Sequence, residues 1–381
     1  MGWAALSELV PYYPLYALLF LDTGLSDAQI SVLFAIWSVT ALLTEVPAGA
    51  LADRWSRRGA VVLASVLQAV AFVVWTAAPA FWAFALGFVI WGVGGALVSG
   101  ASEALIHDEL AALGAEGSFG RVYGWMTSAE LLVQVPTAFA ASALFALGGY
   151  GLVGWASVLA CLAAAVLATR FPEAPRLPDD EDAPPLRAGV VEALRRPALR
   201  WAVPAVALVG GLDAVEEYFP VLAADRGVPT TAVPVAVLGI ALAGAVGAAL
   251  GGRVPGPALP VLLAAAGACL AMAAVTPAVP AVMLVAVFYA LYLSVLVAAE
   301  AQLQARITGP YRATLTSVAG LGIELAALLV FAAWALGGVA TTAVLVLAVV
   351  PVAAVGLRSA DGVSRLGRGG GGAQHLLDGE A

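Results

Sequence analysis

Gly49-Ala50-Leu51-Ala52-Asp53-Arg54-Trp55-Ser56-Arg57-Arg58 packs four charges into ten residues between two long apolar runs, 29–51 and 60–78. A helix needs about 20 apolar residues to cross a bilayer, and each run supplies them. Asp53 ends the first helix. Arg54, Arg57 and Arg58 then lie at the membrane surface, where anionic lipid and a nearby carboxylate hold them. Gly49 lets another helix come close. The stretch reads as the tight, basic turn of a membrane hairpin.

Similar apolar runs repeat on both sides of it. Pro, Gly and charge clusters divide the chain into twelve spans: 3–21, 29–51, 60–78, 80–104, 122–146, 150–169, 199–222, 231–252, 257–275, 279–303, 313–336 and 338–357. Composition agrees. Of 381 residues, 62% are hydrophobic and 11% charged, where soluble proteins are about half apolar and about a quarter charged. Such a chain cannot cover itself with polar surface, which excludes a soluble enzyme, a disordered protein and a nucleic-acid binder. The net charge of −8 also argues against polyanionic partners. Irregular backbone cannot face lipid, and the sequence has no alternating strand pattern for a barrel. An all-α polytopic membrane fold is expected.

The arginines orient it. With the N-terminus in the cytoplasm, sixteen of the seventeen fall in the even-numbered turns or the tail, and only Arg226 lies outside. Under the positive-inside rule both termini are cytoplasmic. No lysine or asparagine occurs. This suits a GC-rich bacterial gene, hence an inner-membrane location, and leaves no N-glycosylation site. The N-terminus lacks a basic region before its apolar run, so no cleavable signal is expected. Cys161 and Cys269 sit inside apolar runs and read as packing residues.

The longest loop separates the spans six and six and contains Pro178-Asp179-Asp180-Glu181-Asp182-Ala183-Pro184-Pro185. The expected organisation is a six-helix bundle over 1–170, a cytoplasmic central loop over 171–198, a second bundle over 199–357 and a disordered cytoplasmic tail over 358–381. The halves echo each other. Glu103 on span 4 matches Glu300 on span 10, and Glu130 on span 5 matches Glu324 on span 11. Glu8 before Tyr13-Pro14 matches Glu216-Glu217 before Phe219-Pro220. Two parallel repeats with a substrate site between them would explain this, against chance in an Ala/Val/Leu-rich chain.

The 49–58 stretch resembles motif A of the major facilitator superfamily, Gly-x-Leu-Ala-Asp-Arg-x-Gly-Arg-Arg, with Ser56 in place of the second Gly. Its position between spans 2 and 3 of twelve is also the family's, and the resemblance covers roughly 1–357. Three further stretches look like one branch of that family: 45–54, Ser99 to Asp108, and Tyr311-Arg312-Ala313-Thr314. The resemblance implies that Asp53 and Arg57, with Asp108 as a third member, form an inter-helix charge cluster latching the outward-open state. Gly49, Arg54, Arg58 and Glu45 lie on the same motif. The second half lacks the motif, reading Gly251-Gly252-Arg253, and span 5 carries Gln134-Val135-Pro136 rather than an antiporter Gly-Pro motif.

Ionisable residues inside a span are costly and by default functional. The spans hold Glu8, Glu45, Glu103, Glu130, Asp213, Glu216, Glu217, Glu300 and Glu324, with no arginine deep among them. A carboxyl group far from water and cations keeps its proton more readily, so such acids suit proton exchange. In the resembled family spans 1, 4, 7 and 10 line the cavity, and six of these acids fall there. Asp213, Glu216 and Glu217, spaced i, i+3, i+4, are expected on one helical face. Tyr13 and Tyr16 on span 1, Trp91 on span 4, Tyr218 on span 7, and Tyr289 and Tyr292 on span 10 accompany them. Carboxylates beside aromatic faces suit an organic cation. Packing is the alternative for each aromatic, and water contact near the helix end for Glu103 and Glu300.

The expected function is secondary transport by alternating access, driven by the proton gradient without a bound cofactor and exporting a lipophilic or cationic small molecule. The alternative is a proton-coupled importer or a facilitator of a neutral nutrient. An intramembrane enzyme and a non-transporting receptor are remote: no metal or hydrolase motif is present, and the tail leaves little room for a signalling module. The expected partners are a small-molecule substrate and the lipid bilayer, with no nucleic acid, and a monomer is the family's default.

Overall fold

Two prolines break the helices that line the centre of the molecule. An α-helix needs the N–H of residue i+4 to satisfy each carbonyl, and proline has none. Pro14 therefore leaves the Val10 carbonyl without that donor, and Tyr13 N–H takes it instead at 3.1 Å. Pro220 does the same to the Glu216 carbonyl, which accepts from Phe219 N–H. Spans 1 and 7 are both discontinuous as a result. Broken helices at corresponding places in two halves are a feature of transporter sites.

The structure is a computed structural model and describes residues 1–173, 195, 196, 199–307 and 312–357. Most of the expected central loop, all of the expected tail and the side chains of 311–314 lie outside those residues. The helices are α1 (Gly2–Glu8), α2 (Tyr16–Asp22), α3 (Asp27–Arg54), α4 (Arg57–Ala77), α5 (Phe81–Ala112) and α6 (Phe119–Ala168). They continue with α7 (Ala202–Gly211), α8 (Phe219–Asp225), α9 (Val233–Gly251), α10 (Leu259–Ala273), α11 (Ala278–Arg306) and α12 (Arg312–Gly356). No strand occurs among the described residues.

Among the described residues, eight helices are long and apolar enough to cross a membrane. Two of them cross twice. The 50 residues of α6 would reach about 75 Å if straight, against a hydrocarbon core of about 30 Å. The helix turns at Gly148 and Gly149, the latter at φ 60°, a left-handed angle that glycine tolerates. Beyond the turn Tyr150 bonds Asp22 at 2.6 Å, and the chain then runs back until Phe171 meets Trp3. α12 turns in the same way at Gly337 and Gly338. α1 with α2 occupies expected span 1, and α7 with α8 expected span 7, so the all-α arrangement of the described residues is consistent with the twelve expected spans.

Within each half the spans pack closely. Glycine lets span 8 touch span 10: a Cβ on Gly247 would fall 1.9 Å from the Ala290 carbonyl oxygen. Spans 2 and 4, 3 and 4, 7 and 11, and 9 and 10 also pair. The halves meet through spans 1 and 7, 2 and 11, and 5 and 8. The described arginines collect at the end carrying 54–58, 121, 170 and 253. Arg58 bonds the Phe171 carbonyl at 3.1 Å there, and Arg306 bonds the Gly356 carbonyl at 2.5 Å. Among the described arginines, only Arg226 stands at the opposite end. Contacts joining the halves lie between the middle and that arginine-poor end. Ser31 bonds Tyr218 at 2.7 Å, Phe34 packs against Tyr218 and Phe331, and Asp27 lies beside Gly338.

Candidate functional site

Between α7 and α8 the chain follows a 3-10 path over Leu212–Tyr218. This corrects the expectation of one α-helical face for the three acids. With three residues per turn, side chains at i and i+3 eclipse, while i+4 points a third of a turn away. Asp213 and Glu216 accordingly converge on one group, the Tyr289 hydroxyl of span 10, at 3.3 and 2.9 Å. Glu217 has a different partner and accepts a hydrogen bond from Tyr16 of span 1.

These acids face a cavity with two lobes that share Trp37, Glu216 and Glu217. The first lobe, about 480 Å³, lies between spans 1, 4 and 5 on one side and spans 7, 8 and 10 on the other. Its wall is aromatic. Tyr13 stacks on Trp91 at 5.7 Å, and Trp91 stacks on Trp37 at 5.2 Å. Tyr16 meets Trp91 edge-on, and Phe219 meets Tyr289 the same way. Glu8 supplies a further carboxyl. The second lobe, about 320 Å³, brings Asp213, Glu300 and Glu324 to the same junction, and Glu324 accepts from Ser38 of span 2 at 2.9 Å. Six carboxyl groups thus line the two lobes, and among the described residues no arginine or histidine does. Among the described residues no three His, Cys, Asp or Glu side chains group as metal ligands would.

Other candidate residues sit elsewhere. Glu130 lies within electrostatic range of Glu8 but outside both linings. Glu103 is exposed and accepts from Tyr123 at 2.9 Å. Tyr218 is buried between Ser31 and Trp334, on which it stacks at 4.2 Å, and so belongs to the contact that closes the arginine-poor end. Tyr292 is also buried, and its hydroxyl caps the Val209 and Gly210 carbonyls, pinning span 10 to span 7. Conversely, Trp37 and Ser38 of span 2 and Gln134 and Thr137 of span 5 line the cavity without having been expected to. One signal was available: Ser31 and Ser38 are seven residues apart, two helical turns, and both face the second half.

At the arginine-rich end Arg57 joins three helices. Its Nη2 lies 3.0 Å from Asp53 Oδ1, and its Nη1 pairs with Asp108 at the foot of span 4. His107 Nδ1 stands 3.8 Å from Asp108. Ser56 bonds Glu173 at 2.8 Å, and Arg58 stands 3.8 Å from the same carboxylate. Glu173, just past span 6, is a member that sequence reasoning missed. Glu45 and Arg54 are exposed and make no ion pair among the described residues. Gly49 faces open space. Here the cluster is complete in a structure whose halves meet at the other end, so in this form it ties spans 2, 3 and 4 within the first half.

The family model described as Major Facilitator Superfamily matches residues 3–331. No curated protein matches the sequence significantly. Among solved structures, the chain resembles a bacterial homolog of the human lysosomal transporter Spinster in its inward-facing, unoccupied conformation. The TM-score is 0.67 at 18% identity, covering 93% of this chain and 90% of that one. It also resembles a D-xylose–proton symporter, with TM-score 0.69 at 15% identity over 92% and 95% of the two chains. A bacterial homologue of the iron transporter ferroportin, inward-facing, gives 0.68 at 17% over 93% and 95%. At these identities the likeness is one of fold.

Proposed function

The chain belongs to the Major Facilitator Superfamily, and from that premise we propose that it is a proton-coupled exporter of lipophilic or cationic small molecules, working by alternating access. One observation carries this reading: six carboxyl groups and an aromatic wall face a cavity between the halves that, among the described residues, no arginine or histidine lines. An anion would meet no counter-charge there, whereas an organic cation meets both carboxylates and aromatic faces. The same acids are suited to take up and release protons as access alternates. We place the protein as a monomer in a bacterial inner membrane, with the arginine-rich end and both termini in the cytoplasm. The form described is then inward-facing, closed on its outer side by the Ser31–Tyr218 and Phe34–Tyr218 contacts.

The test is transport by purified protein in liposomes holding a pH-sensitive dye. With an imposed pH gradient, tetraphenylphosphonium should drive proton movement opposite to its own. That movement should disappear in the Glu216→Gln/Glu217→Gln double variant. Protons and substrate moving together would make the protein an importer instead. Substrate equilibrating with no proton movement would make it a facilitator and return the acids to structural roles.

A further inference from the structure

Three acids within five residues of span 7 make two different sets of contacts, and hydrogen-bond counting separates their roles. A tyrosine hydroxyl has one hydrogen to give. Tyr289 stands within reach of both Asp213 and Glu216, at 3.3 and 2.9 Å. If both carboxyls are ionised, the hydroxyl satisfies one and leaves the other facing its lone pairs. Adding one proton closes the chain: the neutral carboxyl donates to Tyr289, and Tyr289 donates to the remaining carboxylate. A buried polar network that is fully satisfied in one protonation state and not in another favours the satisfied state. Glu217 stands apart, because the 3-10 turn aims it at Tyr16 in the other half of the molecule.

Resting on the proton-coupled reading above, we infer that Asp213 and Glu216 hold one transported proton between them through Tyr289, whereas Glu217 bolts the outer gate through Tyr16. The shared pair lies wholly in the second half and travels with it. The bolt crosses between the halves and must open for outward access.

The surroundings fit this division. The titratable groups facing the pair are Glu217 on span 7, Glu300 on span 10, Glu324 on span 11, and Glu8, Tyr13 and Tyr16 on span 1. Spans 2, 4, 5 and 8 present only neutral side chains to the cavity, Trp37, Trp91 and Gln134 among them. Among the described residues, no arginine or histidine lines either lobe beside the carboxylates. A proton, or a cationic ligand displacing it, is then what completes the pair.

The test uses the full chain in bilayers and needs no known substrate. In infrared difference spectra of the protein against its Glu216→Gln variant, one protonated-carboxyl C=O band should titrate across pH. Tyr289→Phe keeps the ring, which packs against Phe219 and Tyr292, and removes only the hydroxyl. It should shift both the band and its midpoint, as should Asp213→Asn. Tyr16→Phe should leave both unchanged. Instead it should raise the outward-facing population about 13-fold or more, the worth of one hydrogen bond to a carboxylate. That population is read as the distance between spin labels at Thr23 and Thr230. Three outcomes overturn the inference: no titrating band, a band indifferent to Tyr289→Phe, or a band that Tyr16→Phe moves equally. Absence of tetraphenylphosphonium-driven proton flux with the spectra as expected would defeat the transport reading and leave the shared proton standing.

Discussion

Replacing Arg57 with alanine should cost far more than its position at a membrane surface suggests. Its side chain is only 12% exposed and pairs with Asp108, whose side chain is 10% exposed, and with Asp53, which is 51% exposed. Removing the guanidinium leaves Asp108 buried without its cation. Breaking a buried pair in this way costs about 3–5 kcal/mol in soluble proteins. Water and headgroups border this site, so a smaller cost than that, about 2–3 kcal/mol, is expected here. Asp53 stands half in water, and Asp53→Ala should cost about 0.5–1 kcal/mol. Arg57→Ala combined with Asp108→Ala leaves no stranded charge. The double variant should therefore cost about 1.5–3 kcal/mol less than the sum of the singles. The assay is reversible unfolding in mixed micelles titrated with dodecyl sulfate, followed by the fluorescence of the ten tryptophans. Single costs that add to within about 0.5 kcal/mol would show no coupling and refute the pairing. An Asp53→Ala cost equal to that of Arg57→Ala would refute the burial argument.

Further expectations concern packing, the gate and the cavity. Gly247→Val, which drives a side chain into the Ala290 carbonyl, should destabilise by at least about 1–3 kcal/mol. Gly239→Ala on the same helix meets nothing within 4 Å and should be neutral or slightly stabilising in the same titration. Tyr218→Phe removes the Ser31 bond but keeps the ring on Trp334. It should raise the outward-facing population about 2- to 13-fold by spin-label distances, and an unchanged distribution would remove Ser31 and Tyr218 from the gate. Trp37→Ala removes the ring common to both lobes and should weaken tetraphenylphosphonium binding about tenfold in a dialysis assay, while Leu43→Ala, on an exposed part of the same helix, should not.

Much of the architecture is local and so is written in the chain. Twelve apolar runs, the Gly148-Gly149 and Gly337-Gly338 breaks, Pro14 and Pro220 each act within a few residues of themselves. The charge pattern around Asp53, Arg57 and Asp108 is legible for a similar reason, since a short turn between two spans leaves its residues few places to go. Glu173 escaped notice because it reaches the cluster from beyond span 6, more than a hundred residues along the chain.

The site was only half legible. That acids would gather in the membrane core follows from their presence in apolar runs and the cost of facing lipid. Which acid meets which partner does not follow. An α-helical phase predicts Asp213, Glu216 and Glu217 together; the proline-induced 3-10 turn rotates Glu217 away to Tyr16 and leaves Asp213 and Glu216 on Tyr289. Trp37 looks like one more apolar residue of span 2 until it is found stacked on Trp91 of span 4 and facing the cavity between the halves. Tyr218 and Tyr292 look like cavity aromatics until their hydroxyls are found spent on Ser31 and on backbone carbonyls. Span positions depend on hydropathy counted along the chain, which is why the sequence alone determines them. Partners depend on rotation about each helix axis and on contact between halves some two hundred residues apart, and only the packed structure decides those.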